Sequence, residues 1–208
     1  MKLKAQTLNP HEKQCAMELF FATHNQHKLQ EVTAIIGDFC IVKGIAELGC
    51  FEDIPETADS LLGNALQKAA YVHDKYGVNC FSDDTGLEIE ALGGRPGVFS
   101  ARYAGPACSF QDNVRKVMDE MEGIANRKAC FKTVVALILD GQEYFFEGRV
   151  DGEIITEQRG TAGFGYDPIF RPIGYSQTFA EMDEVAKNAI SHRGRAIQAL
   201  KEFLNTRA

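Results

Sequence analysis

Five short stretches of the 208-residue chain carry residue types whose spacing can do chemistry on phosphates and planar bases. The first is Thr23-His24-Asn25-Gln26-His27-Lys28, set between a strand-like run at 18–22 and a segment with Leu29, Val32 and Ile36 at helical spacing. Free amides and the macrodipole at a helix N-terminus favour an anion, and a lysine there neutralises phosphate. The loop reads equally as a polar N-cap with a solvated lysine. It is no Walker motif, since G-x-x-x-x-G-K-[ST] is absent. The second stretch, Ser82-Asp83-Asp84-Thr85-Gly86, reads as an acidic turn between strands at 78–81 and 87–91. Together with Glu56 upstream, its carboxylates suit magnesium, which takes a few oxygen ligands plus water and substrate phosphates. One aspartate can serve as base for an attacking water; the alternative is a turn whose aspartate only caps backbone amides.

The remaining three are richer in glycine. Gly93-Gly94-Arg95-Pro96-Gly97 fixes an irregular backbone, so a structural turn is its expected role, and Arg102 beyond it is the side chain there that can meet substrate. In Gly160-Thr161-Ala162-Gly163-Phe164-Gly165-Tyr166-Asp167-Pro168 the glycines let backbone approach a ligand closely, and Phe164 either stacks on a base or plugs the core. Ser191-His192-Arg193-Gly194, with Lys187 just upstream, offers donors for an exocyclic carbonyl oxygen, although His192 alone also reads as a surface histidine.

The elements that must position these residues alternate in type. A helix is expected from Asp59-Ser60 to Gly77 with Leu62, Leu66, Ala69, His73 and Tyr76 along one side. Ser109 caps another that carries Phe110, Val114, Val117 and Met121. Residues 129–139 and 143–150 form a hairpin across Asp140-Gly141, followed by a separate strand near 153–156. Ser191 opens a final helix whose Ile197, Leu200 and Leu204 face the core. The pattern predicts an α/β fold, a long mixed sheet with helices packed on it.

With 45% hydrophobic residues and no linker-like tract, residues 17–208 are expected to form a single domain with an adequate core. The first sixteen residues, polar and without periodicity, read as a dispensable leader or a start placed too early. The 22 Lys+Arg against 29 Asp+Glu, a net charge of −7, argue against a nucleic-acid polymer as partner. The six cysteines show no C-x-x-C spacing and read as reduced thiols. No apolar run approaches a membrane span or a secretory signal, so a cytoplasmic location is expected.

In order, T-x-N-x-x-K, S-D-D-T-G-L, G-G-R-P-G-V-x-S-A-R-Y, G-F-G-Y-D-P-I-F and S-H-R-G closely resemble the inosine triphosphate pyrophosphatase family over residues 18–205. The resemblance implies a two-lobed fold around a long mixed sheet, with the active-site cleft between the lobes and usually a homodimer. It implies hydrolysis of non-standard purine nucleoside triphosphates (ITP, dITP, XTP) to monophosphate and pyrophosphate with Mg²⁺, cleansing the nucleotide pool. By position, Thr23, His24, Asn25, Gln26, His27 and Lys28 match the triphosphate loop, where His24 replaces a common glycine. Asp84 matches the general base and, with Glu56, the metal carboxylates; Asp83 falls where a supporting acid lies, and Thr85 where many bacterial members have serine. Phe164, Gly165, Tyr166 and Asp167 match the base-binding loop, and Lys187, His192 and Arg193 the remaining nucleotide contacts. Donors from His192 or Arg193 would pair with the C6 carbonyl of inosine or xanthosine and face the amino group of adenosine, so ATP is expected to be rejected. The competing expectations are a Maf-like pyrophosphatase for other nucleotides and a non-catalytic nucleotide sensor.

Overall fold

A computed structural model describes residues 17–207; the leader expected at 1–16 lies outside the described residues. The chain runs β1 (Glu18–Phe21), α1 (Gln26–Ile36), β2 (Ile41–Gly44), α2 (Leu61–Tyr76), β3 (Cys80–Ile89) and β4 (Pro96–Gly97). It continues through α3 (Phe110–Glu120), β5 (Lys128–Leu139), β6 (Gln142–Ile154), β7 (Phe170–Pro172), α4 (Glu184–Ile190) and α5 (His192–Asn205). Seven strands make one mixed sheet in the order β2-β1-β3-β5-β6-β7, with β4 on β3. β1 lies parallel to β2 and β3, and the pairings from β3 to β7 are antiparallel.

Strand side chains alternate between faces, and the core divides accordingly. Leu19, Phe21, Phe81, Val135 and Leu137 pack under α1 and α5, with Val32, Ile36, Ile197, Leu200 and Leu204. Phe20, Cys80, Ala136 and Ile138 turn the other way onto Ala65, Ala69 and Val72 of α2. A third cluster, around Leu87, Phe131, Val150, Phe170 and Phe179, fills the far end of the long strands with Val114 and Val117 of α3.

The helix signals act as their chemistry predicts. The Ser60 side chain accepts from Gly63 N at 3.1 Å and Gly77 closes α2 at φ 66°. Ser109 and Asp112 form a reciprocal capping box on α3. Asp140 and Gly141, both at positive φ, make the tight hairpin turn between β5 and β6.

Three expectations need correction. Ser82–Gly86 is no turn: it lies inside β3, paired residue for residue with β5 from Cys80↔Ile138 to Ile89↔Ala129. The separate strand near 153–156 is the end of the thirteen-residue β6. On α2 the buried face is Asn64, Ala65, Lys68, Ala69 and Val72, whereas Leu62 is exposed.

One close approach fixes the C-terminal helix. A Cβ on Gly148 of β6 would stand 2.0 Å from the His192 carbonyl oxygen and 2.7 Å from the Ala196 nitrogen. Gly148→Ala is therefore expected to destabilise the protein by about 1–3 kcal/mol through overpacking, seen as a lower urea midpoint. An unchanged midpoint would mean that α5 can retreat from the sheet.

Candidate active site

β1 ends at Phe21, where it pairs with Phe81, and β4 meets β3 only from Leu87 onward. Between them, among the described residues, the edge of β3 at Ser82–Gly86 carries no partner strand opposite β5. A cleft of about 440 Å³ opens along this gap. Alternation along β3 sends its two aspartates to opposite faces, which a turn would not do.

Asp84 points toward α2, as Ser82 does, whose hydroxyl donates to the Ala65 carbonyl at 2.6 Å. Its Oδ2 accepts from Asn64 Nδ2 at 3.1 Å and its Oδ1 from the Thr85 amide at 3.0 Å. Lys68 Nζ stands 3.9 Å from Asp84 and donates to Glu56. Burial pushes the Asp84 carboxyl above the usual carboxylate range, outweighing the pull of Lys68 and Lys28. Glu56 also faces Arg102 at 3.8 Å, whose guanidinium lies 5.3 Å from the Phe99 ring and does not line the cleft.

Asp83 points toward α1 and α5 and is fully buried. It accepts from Lys28 Nζ at 2.8 Å and from Arg193 Nε at 2.9 Å. Burial works against its charge, yet Lys28 and Arg193 hold its carboxyl far below the usual range. Burial lowers the Lys28 ammonium from its usual value, only partly offset by Asp83. Arg193 also donates to Glu31 at 2.5 Å and to Thr85 Oγ1 at 3.2 Å. Lys187 bridges Glu31 at 2.7 Å and Asp167 at 2.8 Å. Its burial would lower its ammonium, but Asp167 and Glu31 raise it and keep it charged. A continuous chain of alternating charge thus runs from Lys28 to Asp167.

The triphosphate-loop candidates divide. Thr23, His24, Asn25 and Lys28 line the cleft. The Asn25 side chain caps α1 by accepting from the His27 and Lys28 amides at 3.0 and 3.3 Å. Gln26 and His27 sit in the first turn of α1 outside the cleft lining, where the His27 ring stacks on Phe164 at 5.5 Å. The base-loop candidates Phe164, Gly165, Tyr166 and Asp167 all line the cleft. Tyr166 is buried and donates to the Ser100 carbonyl at 2.8 Å. Asp167 shapes its own loop by accepting from the Phe164 amide at 2.9 Å; the glycine at 163, φ 72°, is required because a Cβ there would stand 2.2 Å from the Asp167 carboxylate.

Lys187, His192 and Arg193 line the same space, and all three are buried. His192 is no surface histidine: its ring stacks on Phe131 at 4.5 Å. Burial, with Arg193 and Lys187 nearby, takes its pKa well below the ordinary value and leaves it neutral. Its Nδ1 is, among the described residues, the one buried side-chain nitrogen or oxygen without a hydrogen-bond partner.

Sequence reasoning missed Glu31, Asn64, Lys68 and Phe110. Hydrophobic periodicity searches for apolar stripes, so it passes over a buried helix face that is polar by design. The available signal was Asn64 and Lys68 four apart on a helix that starts soon after Glu56.

The sequence model of the Ham1 family matches residues 19–203. A dITP/XTP pyrophosphatase of Porphyromonas gingivalis is 54% identical over 188 residues, covering 90% of this chain and 97% of the relative. One of Flavobacterium johnsoniae is 48% identical, covering 90% and 98%. Among solved structures, the Staphylococcus aureus Ham1 protein superposes with a TM-score of 0.83 at 36% identity, covering 92% of this chain and all of that one. A HAM1 protein from Coxiella burnetii gives 0.84 at 37% identity, covering 91% and 99%.

Proposed function

The chain belongs to the Ham1 family, and from that membership we infer that it hydrolyses non-standard purine nucleoside triphosphates (ITP, dITP and XTP) to the monophosphate and pyrophosphate. The observation that carries this reading is a single cleft with two chemically different groups of side chains. Its lining holds one group in which Lys68 meets Glu56 and Asp84 with Lys28 nearby, and another in which Phe131 stacks on His192, with Phe164 also in the lining. A polyphosphate fits the first and a purine the second. A Maf-like specificity or a non-catalytic sensor is not favoured, since the relatives carry the name dITP/XTP pyrophosphatase.

In this mechanism Lys28 and Lys68 offset phosphate charge, and Asp84 orients and deprotonates the water that attacks the α-phosphorus, with pyrophosphate leaving. Burial raises its carboxyl above the ordinary range. Magnesium is the proposed cofactor. No group of three acidic, histidine or cysteine side chains able to hold a metal occurs among the described residues. Asp84 and Glu56 both turn toward the Lys68 ammonium, so this wall already gathers oxygens around a cation. Two carboxylates completed by phosphates and water are the hard-oxygen set Mg²⁺ accepts. When bound it would supply charge neutralisation at the phosphates.

At the base end, three of the five Arg193 donors are committed to Asp83, Glu31 and Thr85. Recognition of the C6 carbonyl therefore falls first to His192, whose neutral imidazole has one donor nitrogen. Phe164 supplies the stacking face. Phe164→Ala is expected to raise KM for dITP about tenfold with a smaller change in kcat, since base stacking contributes about 1–3 kcal/mol; steady-state kinetics check it. No helix among the described residues is long and apolar enough to cross a membrane, and we place the enzyme in the cytoplasm, as a homodimer that removes deaminated purines from the nucleotide pool.

The test is magnesium-dependent hydrolysis of ITP, dITP, XTP, GTP and ATP with products separated by anion exchange. Monophosphate plus pyrophosphate from dITP and XTP, with ATP nearly untouched, is the expected result. Diphosphate plus phosphate, or equal cleavage of ATP, overturns the reading.

A further inference from the structure

The wall of the cleft opposite the base loop is irregular chain, residues 51–58, which contributes Asp53, Ile54 and Glu56 to the lining. Its hydrogen bonds run almost entirely to α2. Tyr71 donates to the Glu52 carboxylate at 2.8 Å and Lys75 donates to it as well. The Thr57 amide donates to Gln67 at 2.9 Å, the Ala58 amide to Asn64 at 2.9 Å, and Lys68 donates to Glu56. Among the described residues one hydrogen bond joins this segment to the loop at the N-terminus of α1. It is His24 Nε2 to the Glu52 carbonyl, 2.9 Å.

We propose that His24 is a positioning residue that latches the phosphate-side loop to the 51–58 wall and so sets the width of the cleft where the polyphosphate lies. A carbonyl oxygen only accepts, so Nε2 must carry the proton. The ring therefore acts as a donor clamp in either charge state. Glu56 is otherwise held by Lys68 of α2 and faces Arg102, and Ile54 packs on the cluster of Phe20 and Ala22, whereas Lys28 is held by Asp83. Both sides are anchored on β3, and among the described residues no other hydrogen bond runs directly between the 51–58 wall and the α1 loop. Holding them together before substrate arrives spares an ordering cost on binding. A glycine at this position, with no side chain, has no means to make the link.

The inference rests on the proposed activity, and its test has one arm that does not. His24 is exposed, so substitution there leaves the fold intact. His24→Ala is expected to raise KM for dITP about fivefold with kcat within about twofold, the size of one net hydrogen bond. His24→Gln, whose side-chain amide donates to the same carbonyl, is expected to recover most of that loss. Chymotrypsin, with the cleavage site read by mass spectrometry, should cut after Phe51, which is 76% exposed, several-fold faster in His24→Ala than in wild type or His24→Gln. If wild type fails to release pyrophosphate from dITP, the proposed activity falls and the cleavage rates alone decide the latch. Unchanged cleavage overturns the latch, whether or not KM moves, and so does a Gln variant no better than Ala.

Discussion

Asp84→Asn is expected to lower kcat for dITP about a thousandfold, within the range general-base catalysis spans, while circular dichroism and KM stay near wild type. The isostere still offers an acceptor to the Thr85 amide while its amide nitrogen meets the Asn64 donor, so the strand edge should hold with the loss of one side-chain hydrogen bond. It has no basicity, and it withdraws one of the two carboxylates proposed for magnesium. The contrast with Asp83 gives the prediction its force. Asp83 has the same side chain one residue away, but it faces the opposite side of the sheet, pinned by Lys28 and Arg193. Initial rates of pyrophosphate release, with added magnesium varied, check the result; near-full turnover in a folded Asp84→Asn variant removes Asp84 from the chemistry.

Arg193→Ala is expected to act first on stability. The guanidinium is buried and serves Asp83, Glu31 and Thr85 together. Removing it leaves Asp83 with Lys28 and Glu31 with Lys187 as their remaining cations, so the cost is expected below the about 3–5 kcal/mol of a buried charge left with no partner. Urea unfolding should show the loss directly; a stable variant with only a changed ITP/ATP ratio would mean that Arg193 reads the base and does little for the fold. The same network sets acid sensitivity. Burial raises and Arg193 and Lys187 lower the Glu31 carboxyl, with a net fall, and Asp83 behaves alike. Carboxyls held below their unfolded values contribute stability in full at neutral pH. That contribution fades as pH drops below the ordinary carboxylate range toward their folded values. Wild type should therefore lose stability between about pH 4 and pH 2 more steeply than Arg193→Ala.

Much of this was legible before any coordinates. Ser60, Gly77, Ser109 and Asp140-Gly141 announce helix ends and a hairpin through local chemistry, and local chemistry is what a sequence displays. The order of five motifs carried the family and most of the cleft lining. The misreadings share another cause. Asp83-Asp84-Thr85-Gly86 has the composition of a turn, and only pairing with β5, some fifty residues away, holds it extended. Tertiary pairing overrode local preference there. Asn64 and Lys68 were passed over because burial of polar side chains depends on partners, Asp84 and Glu56, that no periodicity reveals. His192 was ambiguous for the same reason, since the Phe131 ring that buries it comes from β5.

The alternating charges of Lys28, Asp83, Arg193, Glu31, Lys187 and Asp167 also constrain when the molecule can be finished. A chain emerges from the ribosome with its N-terminal part first. Here β1, α1 and β3 supply Lys28, Glu31 and Asp83, and the two cations that complete the set come only with α4 and α5. Until then Asp83 has only Lys28 as counterion and Glu31 has neither of its two cations. The catalytic cleft and the last stage of synthesis are thereby joined: a chain halted before Lys187 lacks two of the three cations that balance this network.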